Sequence, residues 1–99
     1  MNQFKELDPL LHSQLRLAVM SSLMNVEAAE FVYLKEQTGS TAGNLSVQLD
    51  KLSQAGYIKI SKEFVGKKPK TTCRITKNGI KAFESYVNTL QQYINTSNK

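Results

Sequence analysis

The stretch of sequence that decides the fold runs from Thr38 to Ile75 and reads TGSTAGNLSVQLDKLSQAGYIKISKEFVGKKPKTTCRI. A short polar turn opens it, followed by Leu45, Leu49 and Leu52 at positions i, i+4 and i+7. This spacing puts the three leucines on one face of a helix. The pattern predicts an amphipathic helix over residues 41–55 that is buried along its leucine face.

A strand is predicted directly after this helix, which ends at Gly56. Apolar and polar residues alternate from Tyr57 to Phe64, the period of a half-buried strand. On this pattern one face of the strand carries Ile58, Ile60 and Phe64.

A lysine-rich loop separates the first strand from a second one, predicted over Thr71–Ile75. Residues 65–70 read VGKKPK and contain the glycine and proline that are typical of a hairpin loop. Pro69 is expected to hold the loop open and extended.

The positive charge of the chain is concentrated around this loop. The 99 residues carry a formal charge of +5, but residues 57–81 hold eight cations against the single carboxylate of Glu63. Residues 1–30, in contrast, carry two cations and four carboxylates. A local cationic surface attracts polyanions. A solvated lysine face that only aids solubility is the alternative.

A first helix is predicted over residues 8–24. Asp8 is its expected cap and Pro9 its first helical residue. Apolar residues lie on two sides of this helix, which indicates that the domain core covers one side and a second subunit the other. The two stripes are Leu11, Leu15 and Ala18, and Leu10, Leu17, Met20 and Met24.

Two further helices complete the predicted architecture. An extended link over residues 26–30 leads to a helix at Phe31–Thr38, which Gly39 ends. A long last helix over residues 77–94 carries Ile80, Phe83, Val87, Leu90 and Ile94 at the 3.5-residue period of a coiled-coil seam. This seam either packs back on its own domain or pairs with a second subunit at its far end. The expected homodimer contacts are Leu10, Leu17, Met24, Val87, Leu90 and Ile94.

Length and composition fit a single α+β, mainly helical domain over residues 1–99. Cys73 is the only cysteine, which excludes an intrachain disulfide and fits a reducing compartment. No signal peptide or membrane span is recognisable, so a cytoplasmic protein without membrane contact is expected.

The predicted order of elements is that of a winged helix-turn-helix: helix, short β link, helix, helix, strand, strand, helix. In such folds the outer face of the helix after the turn reads bases in the major groove of DNA. Asn44 and Gln48 on that face can each bond an adenine edge, and Val47 can contact a thymine methyl group. Lys51 can reach a guanine or a phosphate.

Phosphate contacts are expected at the start of this helix and in the lysine loop. Ser40, Thr41 and the N–H groups near Gly43 can hold a phosphate at the positive end of the helix. Alternatively, the hydroxyls only cap the helix and Gly43 fills a tight corner. The loop lysines would add affinity but little sequence information. The predicted phosphate contacts are Ser40, Thr41, Gly43, Lys67, Lys68, Lys70 and Thr71.

The chain resembles the MarR/ArsR-type winged-helix transcription regulators. The resemblance rests on residues 44–58, 66–71 and 75–79, which read NLSxQLxxLxxAGYI, GKKPKT and ITKxG, and it covers nearly the whole chain. Residues 7–17 also match the LDPxxHxxxRL opening of a small stand-alone group. The resemblance implies that the third helix reads double-stranded DNA, that the loop is the wing, and that the first and last helices form a homodimer.

Two positions depart from the family pattern. Many relatives carry histidine where Gln48 stands and a basic residue where Asp50 stands. Because Asp50 would repel phosphate, its flank of the helix is expected to sit away from DNA. The wing is then expected to supply most of the affinity.

Metal binding and catalysis find little support. A metal site needs clustered ligands, but His12 and Cys73 are single and far apart in sequence. We expect His12 to pack or cap, and Cys73 to lie inward in its strand. A redox role for Cys73, with a pKa lowered by nearby lysines, is the minor alternative. No catalytic residue, metal or cofactor is expected, since the chain has no Gly-rich phosphate loop or nucleophile partner for His12.

Two partners other than DNA stay open. A winged-helix protein–protein interaction module would use the apolar seams and exposed Tyr57, Tyr86 and Tyr93, with an incidental basic surface. A small-molecule effector of apolar or phenolic character would fit a cleft between the first helix, the last helix and the dimer partner, although nothing in the sequence requires one.

Overall fold

A computed structural model describes residues 4–96 and confirms the predicted order of elements. These residues form four helices and a three-stranded antiparallel sheet, so the domain is mainly helical. The elements are α1 (Gln14–Leu23), β1 (Ala29–Glu30), α2 (Phe31–Thr38), α3 (Ala42–Gln54), β2 (Ile58–Val65), β3 (Lys68–Ile75) and α4 (Lys77–Thr96).

The start of the first helix was predicted wrongly, because α1 begins at residue 14 and not at residue 8. Asp8 instead closes a separate turn: its carbonyl oxygen accepts the N–H of Leu11 at 3.1 Å, and its Oδ1 accepts the N–H of Leu10 at 2.9 Å. Ser13 then adopts extended backbone, and its hydroxyl accepts the N–H of Arg16. Ser13 is therefore the helix cap, and the residues before it form a strap across the domain.

The core lies between the first three helices, the base of the hairpin and one face of α4. Leu45, Leu49 and Leu52 are buried, which confirms the face predicted from their spacing. The other buried apolar residues are Leu11, Val19, Met20, Leu23, Ala29, Leu34, Ile58, Cys73 and Tyr86.

The β-hairpin is longer and its loop shorter than predicted. β2 and β3 pair from Ile58 opposite Ile75 to Val65 opposite Lys68, so only residues 66–67 form the turn. Gly66 has φ 67°, a left-handed conformation that glycine adopts without strain.

Pro69 does not hold a loop open, as had been expected, but lies in β3 opposite Phe64. The neighbouring strand β1 pairs with β3 only at Cys73 and Thr72, so no other strand within residues 4–96 needs a hydrogen bond from an N–H group at Pro69. Phe64 lies on the same face of β2 as Ile58, as predicted, but it is 75% exposed because this part of the hairpin projects beyond the core.

α4 approaches the junction between α3 and β2 very closely. The hydroxyl of Thr76 donates to the carbonyl oxygen of Gly56 at 2.6 Å and accepts the N–H of Gly79 at 3.0 Å. A Cβ on Gly79 would overlap the carbonyl oxygen of Tyr57, so only glycine fits at this crossing. These contacts fix the direction in which the hairpin leaves α3.

α4 also holds the N-terminal strap in place. The Tyr93 hydroxyl donates to the carbonyl oxygen of Lys5 at 2.7 Å, and the Phe4 ring packs on Tyr93 with centroids 4.7 Å apart. Across residues 4–96, no helix has the length and apolar character needed to cross a membrane.

Candidate nucleic-acid interface

The start of α3 is capped as predicted by Thr41. Its Oγ1 accepts the N–H of Asn44 at 3.2 Å, while the Ser40 hydroxyl is hydrogen-bonded to the Thr38 hydroxyl at 2.8 Å. Thr41, Ala42 and Gly43 are exposed, so the positive end of the helix dipole opens to solvent.

Gly43 does not fill a tight corner, which was one of the two explanations open from the sequence. A Cβ built at Gly43 would have no atom within 4 Å, and its φ is not positive. Nothing within the described protein therefore requires glycine here. The remaining explanation, a close approach by another molecule, stays a prediction.

The outer face of α3 presents the four predicted reading residues. Asn44 and Lys51 are exposed and Val47 is 51% exposed, whereas Gln48 is partly buried. The face is polar, with one apolar side chain, and it lies opposite the buried leucines. The structure thus groups the four side chains, although base contact by any of them stays a prediction.

Gln48 is held by a side chain that the sequence did not identify as part of the site. Arg16 of α1 donates from Nη1 to Gln48 Oε1 and from Nε to the carbonyl oxygen of Leu10. Gln48 in turn donates from Nε2 to Asn44 Oδ1 at 3.0 Å. Two of the four reading residues are therefore tied to the first helix.

The polar residues of the LDPxxHxxxRL motif all contact distant parts of the chain. Asp8 Oδ2 accepts a 2.6 Å hydrogen bond from the Tyr57 hydroxyl, and His12 Nδ1 lies 3.0 Å from the Tyr86 hydroxyl. Together with Arg16 and Gln48, these pairs attach the strap and α1 to α3, to the junction between α3 and β2, and to α4. His12 is exposed, and it contacts the domain through its hydrogen bond with Tyr86 and through the tilted ring of that residue, with centroids 6.2 Å apart. No group of three metal-ligating side chains occurs among the described residues.

The pKa of the Tyr57 phenol is raised chiefly by its partner Asp8. The hydrogen bond to Asp8, then partial burial, then the negative charge of that carboxylate raise the pKa of Tyr57 to about 12. Tyr57 therefore stays a neutral donor throughout the physiological range.

The wing, which in the structure is the hairpin of β2 and β3, carries positive charge at its turn and along both strands. Lys67 and Lys68 are exposed at the tip, while Lys70 is partly buried and lies opposite Glu63 in the register. Phe64 and Val65, which the sequence did not assign to the site, are 75% and 61% exposed beside these lysines. Exposed apolar side chains next to cations suit contact with a DNA groove as well as its phosphates.

Thr71 lies about halfway along the hairpin, opposite Lys62, and not at its tip. It lines a cleft between α3 and the hairpin, together with Ser46, Asp50 and Lys62. Asp50 is exposed at this cleft, on the flank of α3 that faces the hairpin. A cation of the hairpin therefore shares the cleft with the carboxylate that departs from the family pattern.

An apolar groove runs between α1 and α4, where the sequence placed the dimer contacts. Leu17, Val87 and Leu90 line it with Phe83 and Tyr86, and Met24 and Val87 line a second depression beside it. Leu10 packs at the edge of the core and Ile94 is 58% exposed. The structure describes one chain, so pairing through these residues stays a prediction.

Cys73 is fully buried in β3 and acts as a small apolar residue, as expected. Burial raises the pKa of its thiol to about 11. The lowered pKa expected in the minor alternative was wrong, because desolvation opposes thiolate formation.

Known proteins are similar in sequence to most of this chain. A family model described as "Winged helix DNA-binding domain" matches residues 15–94. An uncharacterized protein of Methanocaldococcus jannaschii is 35% identical over 78 residues, which cover 79% of this chain and 85% of that protein.

Two solved structures show the same fold. A transcriptional regulator homologue from Pyrococcus horikoshii OT3 superposes with a TM-score of 0.82 at 24% identity, over 91% of this chain and 89% of that one. Bordetella bronchiseptica BpsR, whose DNA binding is regulated by 6-hydroxynicotinic acid, gives a TM-score of 0.73 at 14% identity, over 91% of this chain and 67% of that one. These likenesses and the family match confirm the predicted winged helix-turn-helix fold, and the chain belongs to the winged helix DNA-binding domain family.

Proposed function

We propose that this protein is a transcriptional regulator that binds specific sequences in double-stranded DNA as a homodimer. One observation carries the proposal: the exposed polar face of α3 lies between an open, positively polarised helix start and a lysine-rich wing. In this arrangement α3 enters the major groove, and Asn44, Val47, Gln48 and Lys51 face the bases. Membership of a DNA-binding family supports it.

Phosphate contacts would come from two separate places. Thr41 and Gly43 sit where the helix N–H groups and dipole favour an anion. Lys67, Lys68 and Lys70 follow the hairpin, where they supply charge that does not depend on sequence. The Ser40 hydroxyl is bonded to Thr38, and Thr71 lines the cleft between α3 and the hairpin. We therefore assign both residues supporting phosphate contacts at the rim of the DNA-binding surface.

The homodimer would form through the groove between α1 and α4. Leu17, Val87 and Leu90 leave apolar surface in that groove, which a second copy of the chain would cover. Two α3 helices would then enter successive major grooves, about 34 Å apart on one face of the duplex. The same groove, closed by the partner, would take an apolar or phenolic effector; regulation of BpsR by 6-hydroxynicotinic acid supports this part of the proposal.

A protein–protein interaction module is less well supported. It would use exposed Tyr57, Tyr86 and Tyr93 beside the apolar seams, but Tyr86 is only 5% exposed and the other two are partly buried. The hydroxyls of Tyr57 and Tyr93 are hydrogen-bonded to Asp8 and to the Lys5 carbonyl.

Titration with random duplex DNA at low and moderate salt separates the two functions. We expect binding at low salt that weakens steeply as salt is added, since released counterions drive non-specific association. A folded protein that does not bind at low salt would favour the interaction module. We place the regulator in the cytoplasm, where a reduced Cys73 and access to DNA are both expected.

A further inference from the structure

The hydrogen bonds between Arg16, Gln48 and Asn44 have a fixed direction. A guanidinium group only donates, so the Gln48 atom that faces Arg16 has to be its carbonyl oxygen. The Gln48 amide nitrogen then faces Asn44, and a nitrogen that donates requires the Asn44 carbonyl oxygen as its acceptor. The orientation of both amides therefore follows from the position of one arginine.

Arg16 is itself held in place from the N-terminal strap. Its Nε donates to the carbonyl oxygen of Leu10, and the N–H of Leu10 donates to Asp8 Oδ1. The other oxygen of Asp8 accepts from Tyr57. A continuous series of hydrogen bonds thus runs from Tyr57, just after the end of α3, back to Asn44 near its start.

This orientation determines what α3 can offer to a base. The carbonyl oxygens of Asn44 and Gln48 are both engaged within the protein, whereas the Asn44 Nδ2 hydrogens and one Gln48 Nε2 hydrogen are not used by these bonds. Lys51 on the same face also only donates. Each carbonyl oxygen already accepts one bond and keeps a single lone pair, so the polar groups of the reading face present more free donors than free acceptors.

Bases differ in the groups that match such a face. In the major groove adenine shows one acceptor and one donor, and an amide reads it by donating and accepting together. Guanine shows two acceptors, N7 and O6. A face on which donors predominate pairs fully with guanine, whereas the adenine amino group would have to share a carbonyl oxygen that already accepts a hydrogen bond.

We propose that Arg16 is a specificity-determining residue: by fixing the amides of Gln48 and Asn44, it makes α3 select guanine where the free side chains would select adenine. Arg16 acts through these amides and is a positioning residue, not a base contact. The inference rests on the proposed function, since it requires α3 to lie in the major groove.

Base preference in Arg16→Met tests the inference. Methionine keeps much of the side-chain volume but has no donor, so both amides become free to turn. Sequences are selected from a random duplex pool, and the base pairs under α3 are identified as those whose preference relaxes in Asn44→Ala. The wild type should prefer guanine there, and Arg16→Met should lower the guanine-to-adenine ratio about 10-fold, within the range of one bidentate contact.

Lys5→Met is the matched control, because it removes one positive charge from an exposed side chain outside the interface. It should leave the base ratio unchanged while lowering overall affinity no more than Arg16→Met does. A wild-type preference for adenine, or equal base ratios in Arg16→Met and Lys5→Met, would overturn the inference while leaving DNA binding intact. A wild-type protein that binds no duplex DNA at low salt would contradict the proposed function itself.

Gln48→Glu gives a second test that does not depend on the fold of Arg16→Met. The new carboxylate still accepts from Arg16 but cannot donate to Asn44, so the Asn44 amide should turn and point its oxygen outward. The preference should then move from guanine to bases that carry an amino group in the major groove, adenine or cytosine. An unchanged preference for guanine in Gln48→Glu would contradict the inference.

Discussion

The Tyr57 hydroxyl donates a 2.6 Å hydrogen bond to Asp8 Oδ2, joining the end of the reading helix to a residue 49 positions earlier in the chain. Because α4 packs on the Tyr57 backbone at Gly79, the same short segment is held by the strap on one side and by α4 on the other. The direction of the wing relative to α3 depends on this junction.

The phenol of Tyr57 should ionise at a higher pH than an ordinary tyrosine. Its pKa is raised to about 12 in the folded protein, so the contribution of this bond to stability is complete below pH 10 and is lost as pH rises through about 12. Absorbance titration should show a phenol ionising near pH 12 that disappears in Tyr57→Phe and moves to lower pH in Asp8→Asn. A late phenol that is unaffected by Asp8→Asn would contradict the assignment.

Gly79→Ala should destabilise the domain. Its Cβ would overlap the Tyr57 carbonyl oxygen, which is backbone and cannot turn aside. We expect a loss of about 1–3 kcal/mol in the free energy of unfolding, measured with urea. An equal stability in Gly79→Ala and wild type would show that α4 does not cross the junction as closely as described.

Gly43→Ala should have opposite effects on the stability of the fold and on the affinity for DNA. The added Cβ would have no protein atom within 4 Å, so alanine should stabilise α3 by about 0.5 kcal/mol. If a DNA backbone approaches this position, the same Cβ should weaken DNA binding several-fold. Unfolding and binding are measured on one preparation; unchanged affinity would remove Gly43 from the interface.

The wing lysines should control the salt dependence of binding. Replacing Lys67, Lys68 and Lys70 with alanine should reduce the slope of log K against log salt by about 2–3, at about 0.9 for each phosphate contact. Lys5→Ala is the control and should change the slope by less than one contact. A slope that the triple variant leaves unaltered would assign these lysines to solubility.

The groove between α1 and α4 should be the dimer contact. Val87→Asp places a charge among the apolar residues of the groove, where a partner could not solvate it. Sedimentation should show a dimer for the wild type and a monomer for Val87→Asp, with an unchanged circular dichroism spectrum. A wild-type monomer at micromolar concentration would contradict the proposed homodimer.

Most of the fold was predictable because it follows local patterns. The spacing of Leu45, Leu49 and Leu52 predicted the buried face of α3, and Gly39 predicted the end of α2 through its left-handed conformation. The start of α1 was missed because Asp8 and Ser13 are both good caps. Tertiary hydrogen bonds commit Asp8 to a turn, and local propensity does not contain that information.

The site was predictable in outline and not in its hydrogen bonding. Helical rotation placed Asn44, Val47, Gln48 and Lys51 on one face, since that arrangement depends only on α3. Arg16 reaches this face from another helix, across 32 positions of sequence, and no periodic pattern reports such a contact. Phe64 was misjudged because alternation gives the face of a strand but not how far the hairpin projects beyond the core.

Selection of bound sequences from a random duplex pool tests the central claim most directly, with the wild type and Asn44→Ala measured in parallel. We predict enrichment of an inverted repeat whose half-site centres lie about 10 base pairs apart, one helical turn. Asn44→Ala should relax the preference at matching positions of both half-sites. If the bound duplexes show no enriched motif at low salt, or if Asn44→Ala leaves the motif unchanged, the proposal that α3 recognises DNA bases is contradicted.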